Sequence, residues 1–243
     1  MLLRIEDHDA QRCRPEFEAS IRDDLAWLGF DPHAEAPRQS ERGDVYRAAL
    51  ADLEARGLVY GCACTRHDVA SASAMPVTSP TGVSIEPRYP GTCGDRGLGL
   101  RDDLGWRVRM DPGDESFVDE LCGPHTQDPL QQCGDVLVRD RKRNWTYQWV
   151  AAVDDHLQSI THVVRGVDLL ASTGRQIRLA RLAGRRDPAT FRHHPLIMKS
   201  PTQKLSKSDA DTGVRDLRAA GWTPDDVKRA ALRSSDPGTS LGY

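Results

Sequence analysis

Apolar segments with the two-residue period of a strand alternate along this chain with segments that repeat every three to four residues, and that alternation constrains the fold more than any other feature. The first strand is Met1–Ile5, which runs into the acidic turn Glu6-Asp7-His8-Asp9. From Pro15 the spacing of Phe17, Ile21, Leu25 and Leu28 predicts a helix stopped at Gly29. A second helix, capped by Ser40, buries Val45, Ala49 and Leu53 and ends at Gly57. Val59-Tyr60 reads as a short strand, Trp106–Met110 as a half-buried one, and Asp135–Val138 as another. Tyr147–Val153 is an apolar run ending in Asp154-Asp155. Ile160–Val164 reads as a buried strand, and Ser172 caps a helix carrying Ile177, Leu179, Ala180 and Leu182. His194–Met198 is the last apolar strand, and two short helices close the chain, the second opened by Thr223-Pro224. Strands and helices in this order give an α/β fold with a mainly parallel sheet. Ligands of such sheets sit beyond the carboxyl ends of the strands, where Glu6, Arg165 and the stretch from Lys204 all fall.

Composition removes several classes of function. The 243 residues carry a net charge of −3, which argues against indiscriminate coating of nucleic acid. Two basic runs, Arg139 to Arg143 and Arg175 to Arg186, read as solvated faces or as local patches for an anionic partner. No segment approaches the ~20 apolar residues of a membrane span, and no secretion signal opens the sequence, so a cytoplasmic protein with no membrane partner is expected. Six cysteines are too sparse for a disulfide scaffold.

Two clusters carry chemistry. Lys204-Leu205-Ser206-Lys207-Ser208 places two ammonium groups and two hydroxyls where they could neutralise charge on a departing pyrophosphate; its plainer reading is a solvated loop. Cys62-Ala63-Cys64 and Cys93 suit tetrahedral zinc, with His67 the fourth ligand that chemistry alone would nominate, or else stand as reduced, partly buried thiols. Between them, Ala70 to Pro87 has the composition of a poorly ordered loop. Cys13, Cys122 and Cys133 have no such arrangement and read as packing residues.

Taken in order, Leu3-Arg4-Ile5-Glu6-Asp7, Tyr147 with Asp154-Asp155, Val164 to Leu169 and Lys204-Leu205-Ser206-Lys207 resemble the class I glutamyl-tRNA synthetase family over almost the whole chain. Within it the resemblance is to short paralogues that lack an anticodon-binding domain and glutamylate queuosine in the anticodon of tRNA(Asp). It implies a Rossmann-type catalytic domain, activation of glutamate by ATP (with Mg2+) to the adenylate, and transfer to a nucleoside hydroxyl, by a monomer. Glu6 would hold the substrate ammonium, Tyr147 would hydrogen-bond the amino acid and Arg165 would grip a carboxylate; Lys204, Ser206 and Lys207 would contact ATP. Without the resemblance, Arg165 reads as an ion pair with Asp168 and Glu6 as a helix-capping acid. The resemblance also makes Tyr89, four residues before Cys93, the fourth ligand of one structural zinc ion beside Cys62, Cys64 and Cys93.

Three parts are expected: residues 1–60 as one Rossmann half without its first strand and helix, 61–134 as a zinc-bearing insertion, and 135–243 as the second half with the lysine loop and closing helices. The family's opening Ser-Pro-Thr-Gly turn and His-x-Gly-His signature have no counterpart before Leu2, and Ser79-Pro80-Thr81-Gly82 matches the turn by coincidence. The sequence is therefore expected to start at an internal methionine or to be a fragment, with activity belonging to the parent protein. The competing expectations are the catalytic part of a synthetase charging tRNA(Glu), and a non-catalytic RNA-binding protein.

Overall fold

A computed structural model describes residues 1–9, 13–73, 86–200, 203–204 and 212–234 of the protein. The first strand, β1 (Leu2–Leu3), pairs in parallel with β2 (Ala34–Glu35) across α1 (Pro15–Leu28). As the sequence predicts, Pro15 opens α1 and Gly29, at φ 76°, closes it in the left-handed conformation that only glycine adopts freely. Phe17 and Ile21, however, remain exposed.

Next comes α2 (Gly43–Ala55), whose buried residues are Tyr46, Leu50 and Leu53, with Val45 and Ala49 at the margin. Ser40 does not cap it. It sits in a preceding 3-10 turn (Gln39–Glu41), and its backbone N–H and hydroxyl both donate to Asp7. After β3 (Val59–Cys62) a short helix, α3 (Arg66–Ala72), is closed by a Thr65–Asp68 capping box and carries regular structure into the stretch expected to be loop. Ser79 to Gly82 lie outside the described residues.

Strand β4 (Gly105–Val108) is buried on both faces rather than one, because Arg107 turns inward onto the cysteine cluster. Then follow the hairpin β5 (Glu115–Asp119) and β6 (Gly123–Gln127), helix α4 (Pro129–Cys133) and β7 (Val136–Arg139). The order β3-β4-β7 makes an antiparallel sheet. The apolar run from Tyr147 forms α5 (Tyr147–Leu157), whose Trp149, Val150 and Val153 join Tyr46, Leu50, Val108 and Val138 in the main core.

The second sheet brings the chain's two halves together. Strand β8 (His162–Gly166), helix α6 (Thr173–Leu182) and β9 (Thr190–His194) complete a four-stranded sheet of order β6-β5-β9-β8, with β9 parallel to both neighbours. Phe117, Ile177 and Phe191 fill the space between this sheet and α6. Strand β8 lies at the sheet edge, so Val164 is 65% exposed where a buried strand is expected. Ser172 precedes α6 but turns its hydroxyl back to the Leu169 carbonyl instead of capping.

The run His194–Met198 is a connection rather than a strand. It leads to the antiparallel pair β10 (Met198–Ser200) and β11 (Gln203–Lys204), after which α7 (Val214–Ala219) and α8 (Pro224–Ser234) close the described chain, α8 beginning at a Thr223–Asp226 hydrogen-bonded cap. No helix among the described residues is long and apolar enough to cross a membrane.

Candidate functional site

Glu6, Tyr147 and Arg165 come from three distant parts of the sequence and meet at one place. Glu6 lies three residues beyond β1, Tyr147 opens α5, and Arg165 is the penultimate residue of β8. Burial and the negative charge of Glu6 raise the Tyr147 phenol, while Arg165 and Gln176, both within hydrogen-bonding range of it, act in the opposite direction. Glu6 caps no helix. One of its oxygens accepts a bond from Arg4 Nη2 at 3.3 Å, and its side chain stays 40% exposed, open to a cationic group. Arg4 is itself anchored on Asp155 and Gln158, both at 2.9 Å. His8 stands beside Tyr147, ring centroids 6.5 Å apart.

Arg165 is held in an unusual way. Its Nε donates to His193 Nε2 at 2.9 Å, Nη2 to Thr173 Oγ1 at 2.8 Å and Nη1 to Gln176 Oε1. All three partners are uncharged acceptors. The guanidinium has five N–H groups, so further donors remain, and burial presses its pKa below the usual value. A partly buried cation ringed by neutral groups is a site for an anion that the protein itself does not supply.

The support of that cation escaped the sequence reading. His193 is buried in β9, and its Nδ1 lies 2.6 Å from Asp119 Oδ2 at the end of β5. Since Nε2 accepts from Arg165, Nδ1 carries the proton and donates to Asp119. Asp119 also accepts backbone N–H bonds from Leu121, Cys122 and His193; although burial alone would raise its carboxyl, these bonds hold it well below the usual range. Burial and the nearby Arg165 charge lower the His193 pKa, keeping the ring neutral. The relay spans 74 residues in the chain, so no local pattern announces it; the only sequence hint is an Asp and a His at the ends of apolar strands.

The lysine stretch is only partly placed. Lys204 pairs with Met198 through the backbone in the β10–β11 hairpin. Ser206 and Lys207 lie outside the described residues.

The cysteine cluster lies in the inserted region. Cys62 and Cys64 follow from β3, and the sulfurs of Cys62, Cys64 and Cys93 all lie within 4.8 Å of one another. Cys64 and Cys93 are 3.7 Å apart, close to the separation of about 3.8 Å that tetrahedral zinc with bonds of about 2.3 Å requires. Tyr89 Oη lies 3.5 Å from Cys62 Sγ and receives the Cys93 backbone N–H at 2.8 Å. Gly134, at φ 66°, makes room there, for a Cβ on it would fall 2.1 Å from the Tyr89 carbonyl oxygen. Two guanidinium groups face the sulfurs: Arg107 Nε lies 3.3 Å from Cys62 Sγ and Arg96 Nη1 3.7 Å from Cys93 Sγ. They favour thiolates and offset the negative charge of a three-thiolate zinc site. Burial pushes Cys64 up to about 11, whereas for Cys93 the bond from a backbone N–H and those from its cysteine and tyrosine neighbours outweigh burial and bring it down to about 7. Cys62, Cys64, Cys93 and Tyr89 therefore fit a zinc ion. His67 sits exposed on α3 against Ser71 and is not part of this group.

Comparison with known proteins agrees with this geometry. Residues 1–234 match the family described as tRNA synthetases class I (E and Q), catalytic domain. The glutamyl-Q tRNA(Asp) synthetase of Bordetella bronchiseptica is 43% identical over 208 residues, covering 85% of this chain and 64% of the relative. That of Rhodobacter capsulatus is 36% identical, across 94% of this chain and 86% of the relative. A crystal structure of a glutamate tRNA ligase from Elizabethkingia meningosepticum in complex with its amino acid superposes with a TM-score of 0.67 at 24% identity, over 91% of this chain and 46% of that one. The chain thus spans just under two thirds of the Bordetella relative and about half of the solved ligase. By family match and by identity, the chain belongs to the class I tRNA synthetases for E and Q, among the glutamyl-Q tRNA(Asp) synthetases.

Proposed function

We propose that the protein carrying this chain activates glutamate with ATP and transfers it to queuosine in the anticodon of tRNA(Asp), acting as a cytoplasmic monomer. The observation that carries this reading is the Arg165 cation, fixed by three neutral acceptors beside Tyr147 and across from the Glu6 carboxylate. An α-amino acid with a second carboxylate offers one ammonium for Glu6 and one anion for Arg165. The α-carboxylate of bound glutamate attacks the α-phosphorus of ATP, with Mg2+ on the phosphates, and pyrophosphate leaves. A hydroxyl of the nucleoside then attacks the adenylate carbonyl and AMP leaves. Positioning and charge compensation account for such catalysis. Glu6, Tyr147 and Arg165 orient the amino acid, while Lys204, Ser206 and Lys207 meet the ATP phosphates.

In this reading residues 1–60 and 135–243 form the two catalytic halves. Residues 61–134 form an insertion braced by one structural zinc ion on Cys62, Cys64, Tyr89 and Cys93. The names of the relatives support tRNA(Asp) as the acceptor. The test is transfer of labelled glutamate to tRNA(Asp) with and without queuosine, followed by nuclease mapping of the label. Label in the anticodon loop of the modified tRNA alone is expected; label at the 3′ end of tRNA(Glu) would overturn the assignment.

A further inference from the structure

One donor beside Arg165 has no partner. Gln176, in the first half of α6, is 6% exposed, and its amide Nε2 is fully buried without a hydrogen-bond acceptor. Four other buried side-chain atoms among the described residues share that condition: His125 Nε2, Gln148 Oε1, Gln158 Nε2 and Arg175 Nε. Gln176 differs in lying against both Arg165 and Tyr147.

The orientation of its amide is dictated rather than free. Arg165 Nη1 donates to it, and a guanidinium has only hydrogens to offer, so the group that faces Arg165 must be the carbonyl oxygen. The amide NH2 is thereby committed to the other side. Arg165 cannot turn to relieve this, because its Nε and Nη2 are fixed by His193 and Thr173. A desolvated donor left in place this way is a cost that folding alone does not recover.

We propose that Gln176 is a specificity-determining residue, whose Nε2 donates to the side-chain carboxylate of the amino acid that Arg165 holds. This rests on the reading of the site as a glutamate site. The α-carboxylate must face ATP, which leaves the side-chain carboxylate for the more buried cation. There the pocket presents donors only, from Arg165 and from Gln176. A carboxylate accepts at both oxygens. A carboxamide in the same place turns an NH2 against one of those donors, and a site built around hydrogen bonds rejects such a mismatch strongly. Gln176 thus selects glutamate over glutamine.

Titration calorimetry of the chain and its variants with L-glutamate and L-glutamine tests this. Gln176→Glu keeps an acceptor for Arg165 but replaces the donor by a second acceptor. The ratio of glutamate to glutamine affinity should fall by roughly 100-fold in this variant. Gln176→Met, which removes the donor without adding charge, should lower the ratio by roughly tenfold. A purely structural role would weaken both amino acids alike, so an unchanged ratio in variants with the parent's circular dichroism and melting point overturns the proposal while leaving the glutamate reading standing. No glutamate binding by the unsubstituted chain overturns both.

Discussion

Arg165 Nε and His193 Nε2 are 2.9 Å apart, one donating and the other accepting, and this bond joins the cation of the site to a buried carboxylate it never touches. Asp119 fixes the proton on His193 Nδ1, the bare Nε2 receives Arg165, and the guanidinium plane is set. The negative charge of Asp119 is thus kept one imidazole away from the cation, supporting Arg165 without occupying the donors meant for substrate.

Arg165→Ala should therefore abolish amino-acid recognition. Truncating a charged partner of a desolvated pair costs about 2–5 kcal/mol, so the glutamate dissociation constant should rise by roughly 30-fold or more. Arg165→Lys should restore little, since an ammonium cannot hold His193, Thr173 and Gln176 in one plane. Calorimetric titration measures both, and near-parental affinity in either variant would remove Arg165 from the site.

The same relay makes the fold acid-sensitive. His193 has a lowered folded pKa, so the unfolded chain takes up a proton before the folded one does, and stability declines as pH falls below the ordinary imidazole value of about 6.5. Asp119, also lowered, contributes stability that is present above the ordinary carboxyl value and is lost as pH falls toward its folded pKa. Melting temperature should drop in two stages, the first below about pH 6.5 and the second below about pH 4. His193→Gln should erase the first stage, and a variant that keeps it would assign that stage to another group.

How far the sequence reached is visible in these residues. Glu6, Tyr147 and Arg165 were legible because each ends or begins an element whose apolar period is plain, and a strand's carboxyl end is where a side chain meets the crevice. Gln176 and Thr173 were not singled out, since both lie on a helix whose pattern predicts only its apolar face. Asp119 and His193 meet because β5 and β9 are parallel neighbours joined by one registered pair, Asp119 with Phe191, a long-range choice that no window of sequence contains. Ser40 and Ser172 show the converse error. Both occupy cap positions by pattern, but a nearby carboxylate and a carbonyl compete for their hydroxyls.

The cysteine cluster yields a prediction independent of catalysis. Purified chain should carry about one zinc per molecule, and Cys93→Ser should lose most of it and lower the melting temperature. Tyr89→Phe removes the oxygen that lies 3.5 Å from Cys62 Sγ and should weaken zinc retention against a chelator without abolishing binding, because three thiolates remain. Metal analysis before and after chelation reads both effects; no zinc in protein with reduced thiols would retire the site.

Asp154 separates structural from substrate-binding carboxylates in this molecule. It is fully buried and receives three bonds at 2.9 Å: from Gln39 Nε2, Arg42 Nε and Tyr46 Oη, so its oxygens are occupied by α2 and the turn before it. Gln39, committed to Asp154 through its amide nitrogen, offers its oxygen to His8 Nδ1 at 2.7 Å, which links this buried knot to the turn that carries Glu6. Asp154→Ala leaves Arg42 without its counter-charge and two buried donors without an acceptor. The expected loss is about 3–5 kcal/mol, seen as a fall in melting temperature of roughly 10 °C. Arg42→Met combined with Asp154→Leu should recover part of that loss, because an apolar pair of similar volume needs no counter-charge. Glutamate affinity should change far less than in Arg165→Ala, and an equal loss of affinity in a variant that remains folded would place Asp154 in the site itself.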